Sequence, residues 1–296
     1  MKLIKPSFEI WEQPSGLEGV YKQIERVGRV CYKSEDKITE DSAKPFVDRM
    51  IKSGHGAMLE HGTVYLKCET EVINRYIHPE DGEEEDFNKL EKYEYNSYSV
   101  TSDDGIYLYV TTNLRVLVEN GWLDDLKYIC KPTEFHEKRI TVHFVCDRGV
   151  SHEFVRHRVM SFAQESTRYC NYSKDKFGNE LTFIQPCWLD DERLKLYGPY
   201  HTVIRDKSLE SIFIASLNNA EKDYIDLIDL GWKPQEARAV LPNSLKTELV
   251  VTGFTSDWNH FFDLRARGTT GAPHPQAKEL AEPLMKEFIA RKYINN

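Results

Sequence analysis

Residues 139–146, Arg-Ile-Thr-Val-His-Phe-Val-Cys, alternate polar and apolar side chains and predict a strand. This segment has the narrowest choice of structure in the chain, and its neighbours are of a different kind. Val20, Ile24, Val27 and Cys31 recur at helical spacing over residues 18–31. Residues 42–53 predict a helix stopped by Gly54. Residues 63–68 and 106–111 read as strands, and 113–120 as a short helix ending at Gly121. Ser151 is the expected cap of a helix running through Arg156, His157 and Arg158. The clearest helix spans 208–230, with Ser208 as cap, an apolar stripe of Ile212, Ala215, Tyr224, Leu227 and Ile228, and Gly231 following. Pro234 opens a short helix that Pro242 ends, and 256–266 and 274–291 are further helices. Strands and helices mix without regular alternation, which predicts an α+β fold rather than a doubly wound sheet.

Composition narrows the function classes. The chain has 296 residues and a net charge of −9, which argues against a general nucleic-acid coat. A local basic pocket for a phosphorylated small molecule is compatible with that charge. Residues 79–86, Pro-Glu-Asp-Gly-Glu-Glu-Glu-Asp, read as a solvated acidic loop. No run of about 18 apolar residues is present, so no membrane span is expected. The opening Met-Lys-Leu-Ile-Lys-Pro lacks the pattern of a secretory leader. The six cysteines show no CxxC spacing, so reduced thiols and a cytoplasmic location are expected. No glycine-rich phosphate loop follows a strand, which leaves Rossmann and P-loop sites unsupported.

Functional side chains are densest at 156–169, where Arg156, His157, Arg158, Ser161, Gln164, Glu165, Ser166, Arg168 and Tyr169 fall together. Arginine offers a planar fork that matches phosphate oxygens two at a time. Serine hydroxyls and backbone N–H groups near a helix end add neutral donors. This chemistry suits capture of a phosphorylated ligand; a solvated helix face with a salt bridge to Glu165 is the plainer alternative.

Arg156-His157-Arg158, seven residues and Ser166, within Gln-Glu-Ser-Thr-Arg-Tyr, resembles the defining motif of the flavin-dependent thymidylate synthases, the ThyX family. Three further segments resemble that family in order: Gly54-His55 with Leu59-Glu60-His61, Glu236 to Pro242, and Asp263-Leu264-Arg265. The resemblance implies a single catalytic domain over 1–296, built on a central twisted, largely antiparallel sheet flanked by long helices. An insertion at about 70–138 would lie between early strands. It also implies methylation of deoxyuridylate (dUMP) to thymidylate. Methylenetetrahydrofolate would supply the carbon, flavin adenine dinucleotide (FAD) would be the cofactor, and reduced nicotinamide (NADPH) the reductant. A homotetramer with shared sites is implied as well. By motif match, His55, Arg156, His157, Arg158, Gln164 and His260 would hold the flavin. Glu153, Arg156, Gln164, Glu165, Ser166, Thr167, Arg168, Arg238 and Arg265 would line the nucleotide. Arg265 would lie against the uracil ring as the catalytic group.

The match has departures. A histidine that usually follows the last arginine is Thr269 here, and His274 is a candidate replacement. Ala57 stands where the family often has threonine, and Gln164 where it often has glutamate. His55, Glu60 and His61 lack the spacing of a zinc helix, so no metal is expected. Pro186-Cys187 resembles the nucleophile setting of the flavin-free synthases as a dipeptide only, and a small structural cysteine is the expectation. Ser166 is expected as a donor, since no base and orienting partner accompany it. Two other readings stay open: an RNA-binding protein using 148–168, and a flavin- and nucleotide-binding protein without methyl transfer.

Overall fold

The computed structural model describes residues 1–70, 90–174, 178–189, 191–192 and 208–295. The strands, in chain order, are β1 (Lys2–Ile4), β2 (Ser7–Trp11), β3 (Thr63–Glu69), β4 (Val100–Asp103), β5 (Tyr107–Asn113), β6 (Arg139–Asp147), β7 (Ser161–Gln164), β8 (Thr182–Ile184) and β9 (Lys246–Phe254). The alternating segment is β6, paired antiparallel with β9 on one side and β2 on the other. With β7 on the far edge the order is β2-β6-β9-β7. The mixed, mostly antiparallel reading holds. The strands are divided among three sheets, however, with β3-β5-β4 and the parallel pair β1-β8 separate from the four-stranded sheet.

Alternation along β6 and β9 sorts their side chains to two faces. Val142, Phe144, Leu249 and Val251 meet helices α8 (Thr255–Phe262) and α9 (Pro275–Ala290) through Trp258, Phe261, Leu284 and Phe288. Trp258 Nε1 donates to the Ile140 carbonyl at 3.0 Å, which satisfies its polar atom inside this core. On the opposite face Ala163 and Val250 lie under Val27, Val30 and Cys31 of α1 (Gly16–Tyr32). The interior strand β9 is buried on both faces from Leu249 to Phe254, yet only Leu249, Val250 and Val251 are consecutive apolar residues, too short a run for the sequence patterns above to mark it.

Between 70 and 138, residues 71–89 and with them the acidic run 79–86 lie outside the described residues. The rest of that segment includes β4, β5 and α4 (Leu114–Asn120). β5 pairs along the whole of β3, Thr63 facing Asn113 and Glu69 facing Tyr107. A second core of Leu66, Tyr93, Val110 and Leu117 packs this sheet against α1 and α2 (Ala43–Ser53) through Ile24 and Phe46.

Several helix ends fall where local chemistry puts them. α2 stops at Gly54, whose φ of +69° is open to glycine without strain. The long helix (Leu209–Asp229) is capped by the Ser208 hydroxyl, which accepts from Ser211 N at 3.1 Å. The helix expected from Ser151 is different. It spans Arg148–Phe154 and is capped by Asp147, whose carboxylate accepts from Val150 N at 2.6 Å. Ser151 instead donates back to the Arg148 carbonyl at 2.9 Å inside the helix. Asp147 ends β6 and is an acceptor-only cap, so the helix starts at once. β7 must begin at Ser161, so the helix also stops early. Arg156, His157 and Arg158 therefore lie in the turn after it.

Candidate active site

Two helix ends meet at Arg265. After Phe262, α8 widens into one π-type turn, Asp263–Arg267, closed by Gly268 at φ +72°. A π turn adds a residue and re-aims the side chains after it. A Cβ at Gly268 would sit 3.0 Å from the Gly271 carbonyl, so this closure needs glycine. Arg265 thereby reaches the end of the Arg148–Phe154 helix. Its Nη1 donates to Glu153 Oε2 at 2.5 Å and its Nη2 to the Glu153 carbonyl at 3.1 Å. Its Nε donates to His157 Nε2 at 3.0 Å. A guanidinium has five N–H groups, so two remain for a ligand.

His157 is buried against Phe261, with ring centroids 4.9 Å apart, and His260 follows at 6.2 Å. Because its Nε2 accepts from Arg265, the ring is neutral with the proton on Nδ1. Burial, then Arg265, then His260 lower its pKa to about 4. The wholly buried His61 is lowered to about 3 by burial and Arg139. An unfolded histidine titrates near 6.5. Both groups therefore contribute stability fully above that pH and lose it as pH falls toward 4, at up to about 1.4 kcal/mol per pH unit each. Thermal midpoints measured from pH 7 to 4.5 should fall less steeply in His157→Gln than in the parent. Parallel profiles would remove His157 from this account.

The Gln164–Arg168 segment is held from behind. Glu165, 2% exposed, accepts from Lys246 Nζ at 2.9 Å and Tyr172 OH at 3.1 Å. Lys246 also pairs with Glu248, which takes Lys33 at 2.8 Å and His143 at 2.9 Å. Burial works against the Glu248 charge, but His143, Lys246 and Lys33 outweigh it and hold the carboxyl far below its usual range. Ser166 N donates to the Cys31 carbonyl at 3.0 Å, fixing the loop to the end of α1. The Ser166 hydroxyl accepts from Arg168 N at 3.3 Å, and Arg238 donates to Thr167 Oγ1 at 3.1 Å. Gln164 turns into the sheet, donating to Ser151 Oγ at 2.8 Å and Thr247 Oγ1 at 3.2 Å. Lys33, Lys246 and Glu248 carry no site signal in the sequence, because Lys33 meets Glu248 across 215 residues and Lys246 meets Glu165 across 81.

The structure thus gathers Glu153, His157, His260 and Arg265, and separately Ser166, Thr167, Arg168 and Arg238. Arg156, Arg158 and Arg168 are exposed, and no carboxylate lies in ion-pair range of them among the described residues. His55 is exposed on a depression shared with Tyr32 and Arg49. Tyr32 packs on Tyr169 at 5.3 Å, which borders that depression with the loop. Glu60 pairs with Arg115, and His61 Nδ1 lies 2.8 Å from Thr252 Oγ1, so His55, Glu60 and His61 turn to different partners. His274 packs on Trp188 at 5.8 Å, while the Thr269 hydroxyl donates to the Asp263 carbonyl at 3.2 Å. Cys170 is buried, and the exposed Cys187 thiol is shifted up, chiefly by desolvation, away from a ready nucleophile.

Residues 106–291 match the family described as thymidylate synthase complementing protein. The chain belongs to this family. The match begins inside the 70–138 segment, at β5, and takes in both clusters above. A flavin-dependent thymidylate synthase of Pyrococcus furiosus is 32% identical over 149 residues, covering 50% of this chain and 53% of that protein. One from Geobacter sulfurreducens is 29% identical over 118 residues, covering 40% and 43%. The chain thus spans about half the length of these curated relatives. A solved UMP/dUMP methylase, PolB from Streptomyces cacaoi bound with 5-Br dUMP, aligns over 98% of this chain and 93% of that one. Its TM-score of 0.44 and 17% identity are too loose to carry an argument.

Proposed function

We propose that this chain is a flavin-dependent thymidylate synthase that methylates dUMP to thymidylate. The observation that carries the reading is the Arg265–Glu153–His157 cluster, with the exposed Arg156 and Arg158 next to His157 in the same turn and no carboxylate paired with either among the described residues of an acidic protein. Exposed cations without carboxylate partners suit a dianionic nucleotide and a diphosphate-bearing flavin. Arg156, Arg158, His55 and His260, with His157 as a buried wall and Gln164 beneath, would hold the FAD. Bound there, the flavin would supply the carbon and reducing equivalents taken from methylenetetrahydrofolate and NADPH. Arg168 and Arg238 would take the nucleotide phosphate, with the Ser166 and Thr167 hydroxyls beside them and Glu165 anchoring the loop. The two open N–H groups of Arg265 would favour charge developing on the uracil ring, which raises electron density at its C5 carbon. Glu153 keeps that guanidinium in place. The same reading takes residues 1–296 as one catalytic domain, with about 70–138 as an added segment, in a homotetramer that shares its sites and works in the cytoplasm.

The purified chain should carry, or take up, a flavin absorbing in the visible, and the spectrum should change with dUMP. A protein that stays colourless after incubation with FAD and gel filtration ends the reading and leaves the RNA-binding alternative. A yellow protein without thymidylate formation leaves the binding protein. Arg168→Ala and Arg238→Ala should each weaken dUMP binding by about 1.5–3 kcal/mol, the scale of a charged hydrogen bond, with flavin retained. Unchanged titration curves in both variants would refute the phosphate assignment.

A further inference from the structure

The seven-residue helix Arg148–Phe154 carries Glu153, the carboxylate that holds Arg265. A helix this short gains little from its own hydrogen bonds, so its place is set by what it packs on and by what holds its ends. Its apolar face, Val150 and Phe154, lies in the core with Phe261, Leu280 and Leu284. Both of its ends are held by polar contacts from one segment, residues 265–276. At the C-terminal end Arg265 donates to the Glu153 carboxylate and carbonyl. At the N-terminal end Gln276 Nε2 donates to Asp147 Oδ2 at 2.6 Å, while Asp147 Oδ1 caps Val150 N at 2.6 Å. Asp147 and Gln276 are 4% and 7% exposed. Any buried donor could satisfy this carboxylate. What singles out Gln276 is its short, stiff connection back to Arg265. Gly268 closes the π turn at φ +72°, Gly271 N donates to the Gly268 carbonyl at 3.2 Å, and Pro273 and Pro275 fix their own φ. Pro275 and Gln276 then open α9, whose Ala277, Leu280 and Leu284 are buried in the same core. The segment thus spans the helix, about 10 Å long, and grips it at both ends.

We propose that Gln276 is a positioning residue for the reaction: by tying Asp147 to α9 it fixes the Arg148–Phe154 helix along its axis, and so fixes Glu153 and the Arg265 guanidinium against the uracil ring. This rests on the reading of Arg265 as the donor to that ring. A lengthwise slip of the helix would carry Glu153 with it, and a donor is worth its full effect only when it is in place before charge develops.

Gln276→Met nearly keeps the volume and removes the donor. Thymidylate turnover at saturating dUMP should fall roughly tenfold, short of the hundredfold of a 1 Å misplacement, with dUMP affinity and flavin retention held. The thermal midpoint should also fall, because Asp147 is left with an unmet oxygen. Gln276→Met combined with Asp147→Ser separates the two effects. Serine still caps Val150 N and strands no charge, so the midpoint should return toward the parent while turnover stays low. This double variant decides alone if the single one does not fold. The ring-nitrogen NMR signal of His157, assigned by its loss in His157→Gln, should shift in both variants, because its Nε2 accepts from Arg265. Parental turnover in both variants, turnover that recovers together with the midpoint, or an unmoved His157 signal would overturn the proposal. A parent chain that takes up flavin and dUMP yet forms no thymidylate would instead refute the proposed function, and the His157 signal would still decide the role of Gln276.

Discussion

Arg265→Lys is expected to cut thymidylate formation on the order of a hundredfold, the scale of losing one preorganised donor, while flavin binding persists. Lysine keeps the charge but gathers its donors at one point. It cannot reach Glu153 Oε2, the Glu153 carbonyl and His157 Nε2 at once, as Arg265 does. Losing this anchoring lets the cation wander from the ring it should face. Arg267 is the internal control. It is exposed and bonds only to Asn259 at 3.0 Å and Asp263 at 2.8 Å, so Arg267→Lys should do little. Near-normal turnover of Arg265→Lys at saturating dUMP would take this residue out of the mechanism. Glu153→Gln should share part of the loss, because it weakens the same anchor without touching the guanidinium.

Lys246→Met should destabilise the fold by about 3–5 kcal/mol, the cost of breaking a buried ion pair and leaving its partners charged. Lys246 sits between Glu165 and Glu248, whose side chains are 1% and 12% exposed. Lys33 and His143 still face Glu248, but Glu165 would keep only the Tyr172 hydroxyl. At about 2–4 °C per kcal/mol for a chain of this size, the thermal midpoint should fall by roughly 10 °C. Adding Glu165→Gln should restore part of it by removing the stranded charge. A single variant within about 1 kcal/mol of the parent, measured by denaturant unfolding, would show that water reaches this network and screens it.

Much of the local structure was legible. The β6 alternation, the Gly54 and Gly121 stops, the Ser208 cap and the terminal helices depend on neighbours a few residues apart, and the structure places them as read. The motif arginines stand out by residue type and spacing, and the structure leaves Arg156, Arg158 and Arg168 exposed. The helix through Arg156–Arg158 was misread. Ser151 and Asp147 both offer cap chemistry, and the choice between them is made by where β6 ends.

By itself the sequence determined an α+β chain, its family, and the cluster of arginines, histidine and hydroxyls at 156–169. Tertiary structure alone decided that β9 lies inside the sheet between β6 and β7, since its Lys246, Thr247, Glu248 and Thr252 find partners only across strands and its apolar run is three residues long. It also decided which charges meet. Arg265 finds Glu153 across 112 residues, and Lys246 finds Glu165 across 81. Such pairs leave no periodic trace, because their energy comes from desolvation and proximity that exist only once the sheet has formed.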